Sequence, residues 1–412
     1  MPGLRIFHFY RKRRKRFFYL YLFCFLAFSL CSVREYIPDS ISVTRGEAVS
    51  LGSFLPVTQT VKNGSETAVS YGIAGTAGTD DYELECRLFG LIPVKNVTVH
   101  IVDEEQVIPC GIPIGIYVQT AGVYVVDLAE IETERGGAAS PAKHVLKTGD
   151  YILEVDGTAV ETKEELVAAV SASDGTALML TVRRNGETLE CEVTPVQTVD
   201  GSYQIGVWVR DDMAGIGTLT YVTEDGKFGA LGHSISDTDT ESRIEMKKGT
   251  LYLADILSVI RGEKGNPGEL VGQISYTEST ILGSIEKNLA NGIFGTLTSL
   301  PDELSGIEPV SVGYKQEVEE GSARMLVELD GELCYCEIEI ESVDLNAAEV
   351  NQSIRIRVTD EALIAKTGGI IQGFSGAPIL QNGKIIGAVT HVFVSDPLEG
   401  YGIFIEDMLQ TE

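Results

Sequence analysis

The chain has 412 residues, which is enough for two or three domains, each with its own hydrophobic core. Its 32 basic and 60 acidic residues give a net charge of −28. Residues 1–34 hold eight basic residues and no acidic one, so the remainder carries 24 − 60 = −36. This acidic body argues against nucleic acid as a partner, because phosphate binding needs basic clusters. The 44 glycines and the scarcity of long helical periods predict a mainly β protein.

Residues 1–35 have the pattern of a segment that enters a membrane. An unbroken basic run, Arg11–Arg16, precedes the apolar stretch Phe17–Ser32. A positive flank before such a stretch indicates a secretory signal or a signal anchor, although a comfortable membrane span takes ~20 residues. We expect the body of the protein to lie outside the cytoplasm, either exported or anchored through this single segment. Retention of the anchor is left open.

The cysteines beyond this segment indicate neither a disulfide framework nor a metal site. They are odd in number and form no Cys-x-x-Cys or His/Cys cluster. We interpret them as small buried hydrophobic residues and expect no cofactor. The positions are Cys86, Cys110, Cys191, Cys334 and Cys336.

Residues 36–106 and 107–198 are predicted to form two separate units. The first contains short alternating runs such as Ile41–Val43 and Val97–Ile101, which predict a small β module. The second combines strands with a helix capped at Thr162 and a hairpin around Asn185-Gly186. Its segment Leu146–Gly157 reads Leu-x-x-Gly-Asp-x-Ile-Leu-x-Val-Asp-Gly, which resembles a PDZ domain.

PDZ domains bind an extended peptide, often a C-terminus, by adding it as a strand to a sheet. By this resemblance, Ile114, Gly115 and Ile116 would form the loop that receives the terminal carboxylate. The alternative is a PDZ-like module that packs only against its own chain.

Residues 199–412 are predicted to form the reactive domain, because they contain a serine in a glycine-rich stretch. Four glycines fall within nine residues around Ser375, and glycine inside an element costs about 0.5–1 kcal/mol, so they suggest a special backbone path. The path could present the serine hydroxyl to a substrate, or the stretch could be a glycine-rich turn with a solvated serine. The glycines are Gly368, Gly369, Gly373 and Gly376.

A serine hydroxyl needs a base to become a nucleophile, and an acid commonly orients that base. His233 follows a glycine at the end of a predicted strand, which makes it the preferred base. His391 alternates within an apolar strand and is interpreted as a hydrogen-bonded core histidine. Asp360, at the end of another strand, is the preferred acid, and Asp237 is its rival.

An oxyanion site is also predicted within the same stretch. The N–H groups of Gly373 and Ser375 lie one residue apart and can point at one developing negative oxygen. Each such donor is typically worth about 3 kcal/mol of transition-state stabilisation.

Two levels of family resemblance follow from these residues. Gly373–Ile379, Gly-Phe-Ser-Gly-Ala-Pro-Ile, resembles the Gly-x-Ser-Gly-x-Pro signature of chymotrypsin-like serine proteases, and the order His, Asp, Ser is theirs too. More closely, residues 36–410 resemble the stage IV sporulation protein B peptidase family, serine peptidase family S55. Besides the PDZ-like segment, the match is carried by Leu88–Pro93, Gly232–Asp237, Gly265–Glu269, Thr367–Ile379 and Gly387–Phe393.

The resemblance implies a chymotrypsin-like double β-barrel protease domain, preceded by a PDZ domain and a signal anchor. Because the gap from Asp360 to Ser375 is short, either the barrel is rearranged or the acid is not Asp360. Phe374 replaces the usual methionine, a change that keeps the side-chain volume. By matching positions, His233, Asp360 and Ser375 are base, orienting acid and nucleophile.

The implied function is that of a sporulation signalling endopeptidase in the space between forespore and mother cell. It would process itself and cleave a membrane-bound regulator of an intramembrane protease, which leads to processing of a late sigma factor. One alternative is a non-catalytic sensor that binds peptides through the PDZ domain. Another is an extracytoplasmic quality-control serine protease, although there the PDZ domain follows the protease.

Overall fold

Strands dominate the computed structural model, which describes residues 3–45, 57–61 and 81–410. The helices are α1 Gly3–Tyr36, α2 Lys163–Ala172, α3 Glu361–Thr367 and α4 Ile405–Leu409. The strands as far as the PDZ region are β1 Ser40–Thr44, β2 Val57–Val61, β3 Tyr82–Leu88, β4 Ile92–Val102, β5 Gln106–Pro109, β6 Pro113–Leu128, β7 Ile131–Glu132, β8 Ala138–Ala139, β9 Tyr151–Val155, β10 Thr158–Ala159, β11 Leu178–Arg184, β12 Glu187–Val193, β13 Val196–Gln197 and β14 Tyr203–Gln204.

The remaining strands build the C-terminal half of the chain. They are β15 Val207–Thr223, β16 Lys227–Ala230, β17 Met246–Ile260, β18 Glu269–Ile274, β19 Ile281–Leu289, β20 Gly292–Leu297, β21 Val310–Ser311, β22 Gly321–Leu329, β23 Glu332–Val343, β24 Ile354–Val358, β25 Pro378–Gln381, β26 Lys384–Phe393 and β27 Asp396–Phe404.

The N-terminal helix leads into a small β module. Within α1, the segment Phe17–Tyr36 is long and apolar enough to cross a membrane. The module is a four-stranded sheet in the order β1-β4-β3-β2. Its alternate apolar residues, among them Ile41 and Val99, form a buried cluster. Lys95 donates a hydrogen bond of 2.6 Å from Nζ to the carbonyl oxygen of Ile37, which ties the end of the helix to the module.

Six strands form a first barrel. They pair in the order β6-β17-β19-β20-β16-β15, and β15 pairs again with β6, so the sheet closes on itself. Ile114, Leu219, Leu251 and Ile293 point into its core and are buried. Closure leaves no exposed edge in this part of the sheet, and the interior is filled by side chains.

The PDZ domain grows out of two strands of this barrel. The first half of β6 pairs with β15 and β17 inside the barrel, whereas Val123 and Tyr124 pair with β9 of the PDZ sheet. Likewise, Val207–Arg210 of β15 pairs with the PDZ half of β6, and the rest of β15 belongs to the barrel. The strands β6 and β15, which lie on either side of the PDZ region in the sequence, therefore continue from the PDZ sheet into the first barrel.

The interior of the PDZ domain matches its sequence pattern. Thr162 Oγ1 accepts a hydrogen bond of 3.2 Å from Glu165 N, and Glu165 Oε2 accepts one of 3.2 Å from Thr162 N, which is the predicted capping box of α2. Leu166 and Val170 of this helix pack onto the sheet. The hairpin of β11 and β12 turns at Asn185-Gly186, both with positive φ, as predicted.

A second closed barrel follows, with strand order β22-β23-β24-β27-β26-β25. Its core includes Met325, Ile338, Ile356 and Phe374, all buried. The expected protease fold of two β-barrels, with a PDZ domain and an apolar N-terminal helix, is confirmed. The segment Gly368–Ala377 connects α3 to β25 and lies where the two barrels meet.

Candidate active site

The glycine-rich stretch takes the special backbone path that its composition predicts. Gly373 and Gly376 have φ of 103° and 96°, in the region that favours glycine. A Cβ atom at position 376 would collide with the carbonyl oxygen of Thr218 and the amide of Leu231. The N–H of Gly376 donates a 2.7 Å hydrogen bond to the carbonyl of Val389. The loop is thus held between the first barrel and strand β26 of the second.

Ser375 lies in this loop with its hydroxyl against β26. Its Oγ donates a 2.7 Å hydrogen bond to the carbonyl oxygen of Thr390. Its own carbonyl accepts a 2.9 Å hydrogen bond from the N–H of Thr218 in the first barrel. The serine is therefore presented at the junction of the barrels, in a resting position in which its proton is held by a backbone carbonyl.

Two amide groups within residues 373–377 have no acceptor in the described structure. The N–H groups of Phe374, Gly376 and Ala377 all donate to backbone carbonyls. Across the described part of the chain, those of Gly373 and Ser375 have no hydrogen-bond partner. These are the two donors predicted for the oxyanion site, so the arrangement is compatible with that role.

His233 approaches the same point from the first barrel. It follows Leu231 and Gly232, whose φ values of 70° and 72° turn the chain at the end of β16. A Cβ atom on Gly232 would lie 2.8 Å from Cγ2 of Thr390. Thr390 is also the acceptor for Ser375, so Ser375 and Gly232, the residue before His233, lie against the same residue.

The imidazole of His233 is held in the tautomer that a general base requires. Its Nδ1 lies 2.9 Å from the carbonyl oxygen of Ser234, which can only accept, so Nδ1 carries the proton and Nε2 has a free lone pair. Burial lowers the pKa of His233, because desolvation disfavours the charged ring, and the hydrogen bond to Ser234 opposes this only in part. The ring is therefore neutral at neutral pH.

His391, the other histidine that the sequence offers as a base, lies beside His233 in this site. Its ring centroid lies 5.1 Å from that of His233, at an interplanar angle of 35°. The residue is exposed, so its interpretation as a core histidine is wrong. Partial desolvation lowers the pKa of His391 to about 4, and repulsion from His233 adds to the effect. In the sequence, His391 directly follows Thr390, but only the three-dimensional fold brings Thr390 beside Ser375.

Neither predicted carboxylate contacts the imidazole in the described residues. Asp360 caps α3: its Oδ1 accepts from Leu363 N at 2.9 Å and its Oδ2 from Glu337 N at 3.3 Å. Asp237 is buried and pairs with Arg210. The structure thus gives both aspartates local structural partners, and the expected orienting contact of Asp360 is corrected to one made by the Ser234 carbonyl.

A cleft leads to the predicted oxyanion site. Its volume is about 620 Å³, and it runs between the middle of β15 and the hairpin strand β18. Leu270 N donates a 2.9 Å hydrogen bond to Gln372 O, which fixes β18 beside the loop. The cleft is large enough for several residues of an extended peptide. It is lined by 214–216, 269–274, Tyr276, Gln372 and Gly373.

The predicted carboxylate-binding loop of the PDZ domain lies elsewhere in the structure. Ile114, Gly115 and Ile116 are in β6, paired with β15 on one side and β17 on the other. Ile114 and Ile116 are buried in the first barrel, and Gly115 makes room for Ile274, which would lie 2.7 Å from an added Cβ. Backbone groups paired on both sides cannot receive a peptide, so this prediction is wrong.

A free strand edge is present at Val207–Arg210 instead. This part of β15 pairs only with β6 among the described strands, and its other side faces α2. Lys163 N, at the start of α2, donates a 3.0 Å hydrogen bond to Asp211. Gly206, with φ of 78°, precedes the edge. The sequence signal was Ile205-Gly206-Val207, which repeats the apolar-Gly-apolar pattern of Ile114–Ile116.

The described residues contain no group of three or more His, Cys, Asp or Glu side chains that could hold a metal ion. Cys110 and Cys336 are buried, and burial raises the pKa of each thiol, the latter to about 12, so both stay protonated.

Comparisons with known proteins match both halves of the chain. The family model "SpoIVB peptidase S55" matches residues 201–409, just over half of the chain, and the PDZ model matches residues 110–194. Among curated proteins, a Lactococcus lactis protein named "Putative zinc metalloprotease LL2128" is 38% identical over 76 residues. That alignment spans 18% of this chain and 17% of the relative.

Solved structures with detectable similarity fall into two groups. The PDZ domain of an SdrC-like protein from Listeria monocytogenes is 22% identical and covers 22% of this chain and 90% of its own, with a TM-score of 0.19. Rv3671c from Mycobacterium tuberculosis, crystallised as an inactive mutant, is 16% identical. It covers 47% of this chain and 80% of its own, with a TM-score of 0.27.

Proposed function

This chain belongs to the SpoIVB peptidase S55 family and is a serine endopeptidase with a PDZ domain, and we propose that Ser375 is its nucleophile and His233 its general base. The single observation that supports this assignment best is made at Thr390, at the junction of the barrels: it accepts the hydrogen bond of Ser375 and packs against Gly232, the residue before His233. The partner-free amides of Gly373 and Ser375 supply the oxyanion site.

The reaction begins when Ser375 rotates away from the Thr390 carbonyl toward His233. As Oγ attacks the scissile carbonyl carbon, its proton passes to Nε2 of His233, and the negative oxygen is held by the two amides. Collapse of the tetrahedral intermediate expels the amine, which takes the proton from His233. Water then attacks the acyl carbonyl carbon and gives a proton to Nε2 of His233. His233 returns this proton to Oγ as the carboxylic acid product leaves, and Ser375 is regenerated.

The backbone carbonyl of Ser234 takes the orienting role that a carboxylate has in most triads. It fixes the neutral tautomer of His233 but supplies no full negative charge to stabilise the imidazolium. We therefore expect a slower enzyme than one with a buried aspartate behind its histidine, as suits a signalling peptidase that acts on few substrates. Asp360 supports the site indirectly, by starting the helix α3 that leads into the Gly368–Ala377 loop.

Self-processing tests the nucleophile and separates the two histidines. The full chain, Ser375→Ala, His233→Ala and His391→Ala are expressed and the N-terminal fragments followed by mass spectrometry. We expect processing in the wild type and in His391→Ala, with loss in the other two. Processing by Ser375→Ala would contradict the nucleophile assignment, and loss only in His391→Ala would transfer the base role to that residue, whose ring lies 5.1 Å from His233.

We propose that the protein is anchored by α1 on the extracytoplasmic side, in the space between forespore and mother cell. The apolar segment Phe17–Tyr36 and the preceding basic run support a single span with the basic end inside. The turn between β3 and β4 exposes Phe89 and Leu91 close to Lys95, which binds the end of the helix. Carbonate extraction with protease protection tests this: release of the intact chain from membranes would contradict the anchor.

The substrate proposed from the family is a membrane-bound regulator of an intramembrane protease, besides the chain itself. A substrate in the membrane suits an anchored enzyme, because both proteins are confined to the plane of the same membrane. The PDZ domain adds a second point of contact. Co-expression of wild type or Ser375→Ala with a candidate regulator tests it by the appearance of a serine-dependent fragment. An unchanged regulator would leave self-processing as the activity of the enzyme.

The PDZ domain binds peptides, and we propose that the peptide adds as a strand at Val207–Arg210. The unpaired edge and the facing helix α2 support this position. A purely peptide-binding protein is the second candidate function, favoured by the resting hydrogen bond of Ser375 to Thr390. It predicts that no substitution of Ser375 changes any cleavage.

A further inference from the structure

Thr218 donates hydrogen bonds to the carbonyl groups of two residues in the reactive stretch. It lies in the barrel half of β15 and its side chain is 2% exposed. Its N–H donates a 2.9 Å hydrogen bond to the carbonyl of Ser375. Its Oγ1 donates a 2.6 Å hydrogen bond to the carbonyl of Gly373. One residue of the first barrel thus holds the two residues whose amides form the proposed oxyanion site.

We propose that Thr218 is the positioning residue of the oxyanion site. This inference rests on the proposed roles of Gly373 and Ser375. Nothing in the composition of the reactive stretch points to it, since Thr218 lies 155 residues before Gly373 in the chain.

The site needs a positioning residue because the backbone at Gly373 has high conformational freedom. Its φ of 103° is open to glycine alone, and glycine passes easily to other backbone angles, so the peptide planes on either side can turn. A hydrogen bond to the Gly373 carbonyl fixes the plane between Gly373 and Phe374. The bond to the Ser375 carbonyl fixes the plane after the nucleophile. The amide of Ser375 lies in the plane between these two, and the amide of Gly373 lies in the plane just before the first. Fixing both planes therefore restricts the directions of the two donors before the substrate arrives, which is the condition for oxyanion stabilisation.

Loss of the Thr218 hydroxyl also leaves a carbonyl without its donor. The Gly373 carbonyl would then turn toward water in the cleft, which reaches Gly373. Such a turn moves the adjacent amides away from the oxyanion. The expected defect is therefore in the chemical step and not in substrate binding.

The same strand provides a matched control. Thr220 lies two residues further along β15 and is 0% exposed. In the described structure its Oγ1 is buried without a hydrogen-bond partner. Replacing either threonine by valine removes one hydroxyl and keeps the shape of the side chain. Only at Thr218 does this substitution remove a hydrogen bond to the loop.

The experiment measures labelling of the full-length protein by a fluorophosphonate, with the maximal rate and the half-saturating concentration determined separately. For Thr218→Val we expect a maximal rate lower by about 10-fold or more, against 10²–10³-fold for loss of a whole oxyanion donor, with half-saturation unchanged within about 2-fold. Thr218→Ser, which keeps the hydroxyl, should recover most of the rate. Thr220→Val should label like the wild type.

Several results would overturn the proposal. These are a wild-type rate in Thr218→Val, a change confined to half-saturation, or equal losses in Thr218→Val and Thr220→Val. If Thr218→Val does not fold, as judged by its melting transition, Thr218→Ala is compared with Thr218→Ser in the same way, and equal rates contradict the inference. Failure of the proposed function looks different, because Ser375→Ala would then still be labelled.

Discussion

Burial of His233 sets the pH range in which the proposed mechanism can operate. A general base must be neutral, and desolvation lowers the pKa of this ring below its ordinary value of 6.5. The labelling rate of Ser375 should therefore persist below pH 6.5 and fall only when the pH passes the lowered pKa. A rate profile for the full chain, measured with a fluorophosphonate, checks this. A midpoint at or above 6.5 would show that the base is a solvated histidine.

A substitution of Asp237 tests whether this carboxylate has a structural or a chemical role. It is 0% exposed, pairs with Arg210 and accepts the N–H groups of Asp239 and Thr240 at 3.0 and 2.9 Å. Asp237→Asn removes the buried charge, while Arg210 is 37% exposed and keeps Asp239 as a partner, so we expect the free energy of unfolding to fall by about 1–3 kcal/mol. Labelling of the protein that remains folded should keep its rate.

The matched control is Asp239→Asn, since that carboxylate pairs with the same arginine but is exposed. A surface pair contributes about 0–1 kcal/mol, so urea unfolding should distinguish the two variants clearly. A normal unfolding midpoint together with a lost labelling rate in Asp237→Asn would instead give Asp237 the role of the orienting acid.

Residue by residue, sequence reasoning predicted the special backbone around Ser375 but not the surroundings of His233. The glycines around Ser375 require positive φ, and this is a local property that composition reveals. The position of an acid is not local. Asp360 matches its family motif and ends a strand, yet the strand delivers it to the start of α3, where helix capping uses both oxygens.

At the level of elements, the free edge of β15 makes a direct prediction about peptide binding. Trp208 is the only tryptophan of the chain and lies exposed on this edge. A peptide that adds to Val207–Arg210 should therefore change the tryptophan emission in a saturable way. Gly206→Ala should weaken the response about 10-fold or more, because φ of 78° is strained for alanine and its Cβ would lie 2.6 Å from the Ala129 carbonyl oxygen.

Gly186→Ala is the control for this titration. It too has positive φ, of 80°, but no atom lies within 4 Å of the added Cβ and the hairpin is remote from the edge. Equal affinities in the two variants would contradict the assigned edge.

The same two strands show what element-level reasoning could not predict. β6 and β15 run over 16 and 17 residues, and their apolar residues predict strands without showing where one core ends and the next begins. The capping box and the Asn-Gly hairpin, in contrast, depend on neighbours within a few residues and were predicted correctly. The sequence pattern does not determine which strands pair when they are far apart in the chain.

For the whole molecule, the shared strands make the protease depend on residues before the PDZ domain. A fragment of residues 199–412 lacks Pro113–Thr120, and with it the buried Ile114, Ile116 and Val118 of the first barrel. We expect this fragment to aggregate and to show no labelling of Ser375. A fragment of residues 107–412 keeps all the strands of both barrels and should label like the full chain. Normal labelling of the shorter fragment would contradict this dependence.

The central claim is that Ser375 is a nucleophile activated by the folded site at the junction of the barrels. The most direct measurement is the position of the fluorophosphonate adduct, determined by peptide mass spectrometry on the native full-length protein. The account predicts one adduct, on Ser375, which is absent after denaturation and strongly reduced in His233→Ala. An adduct on another residue, or an unmodified Ser375 in folded protein that still processes itself, would contradict it.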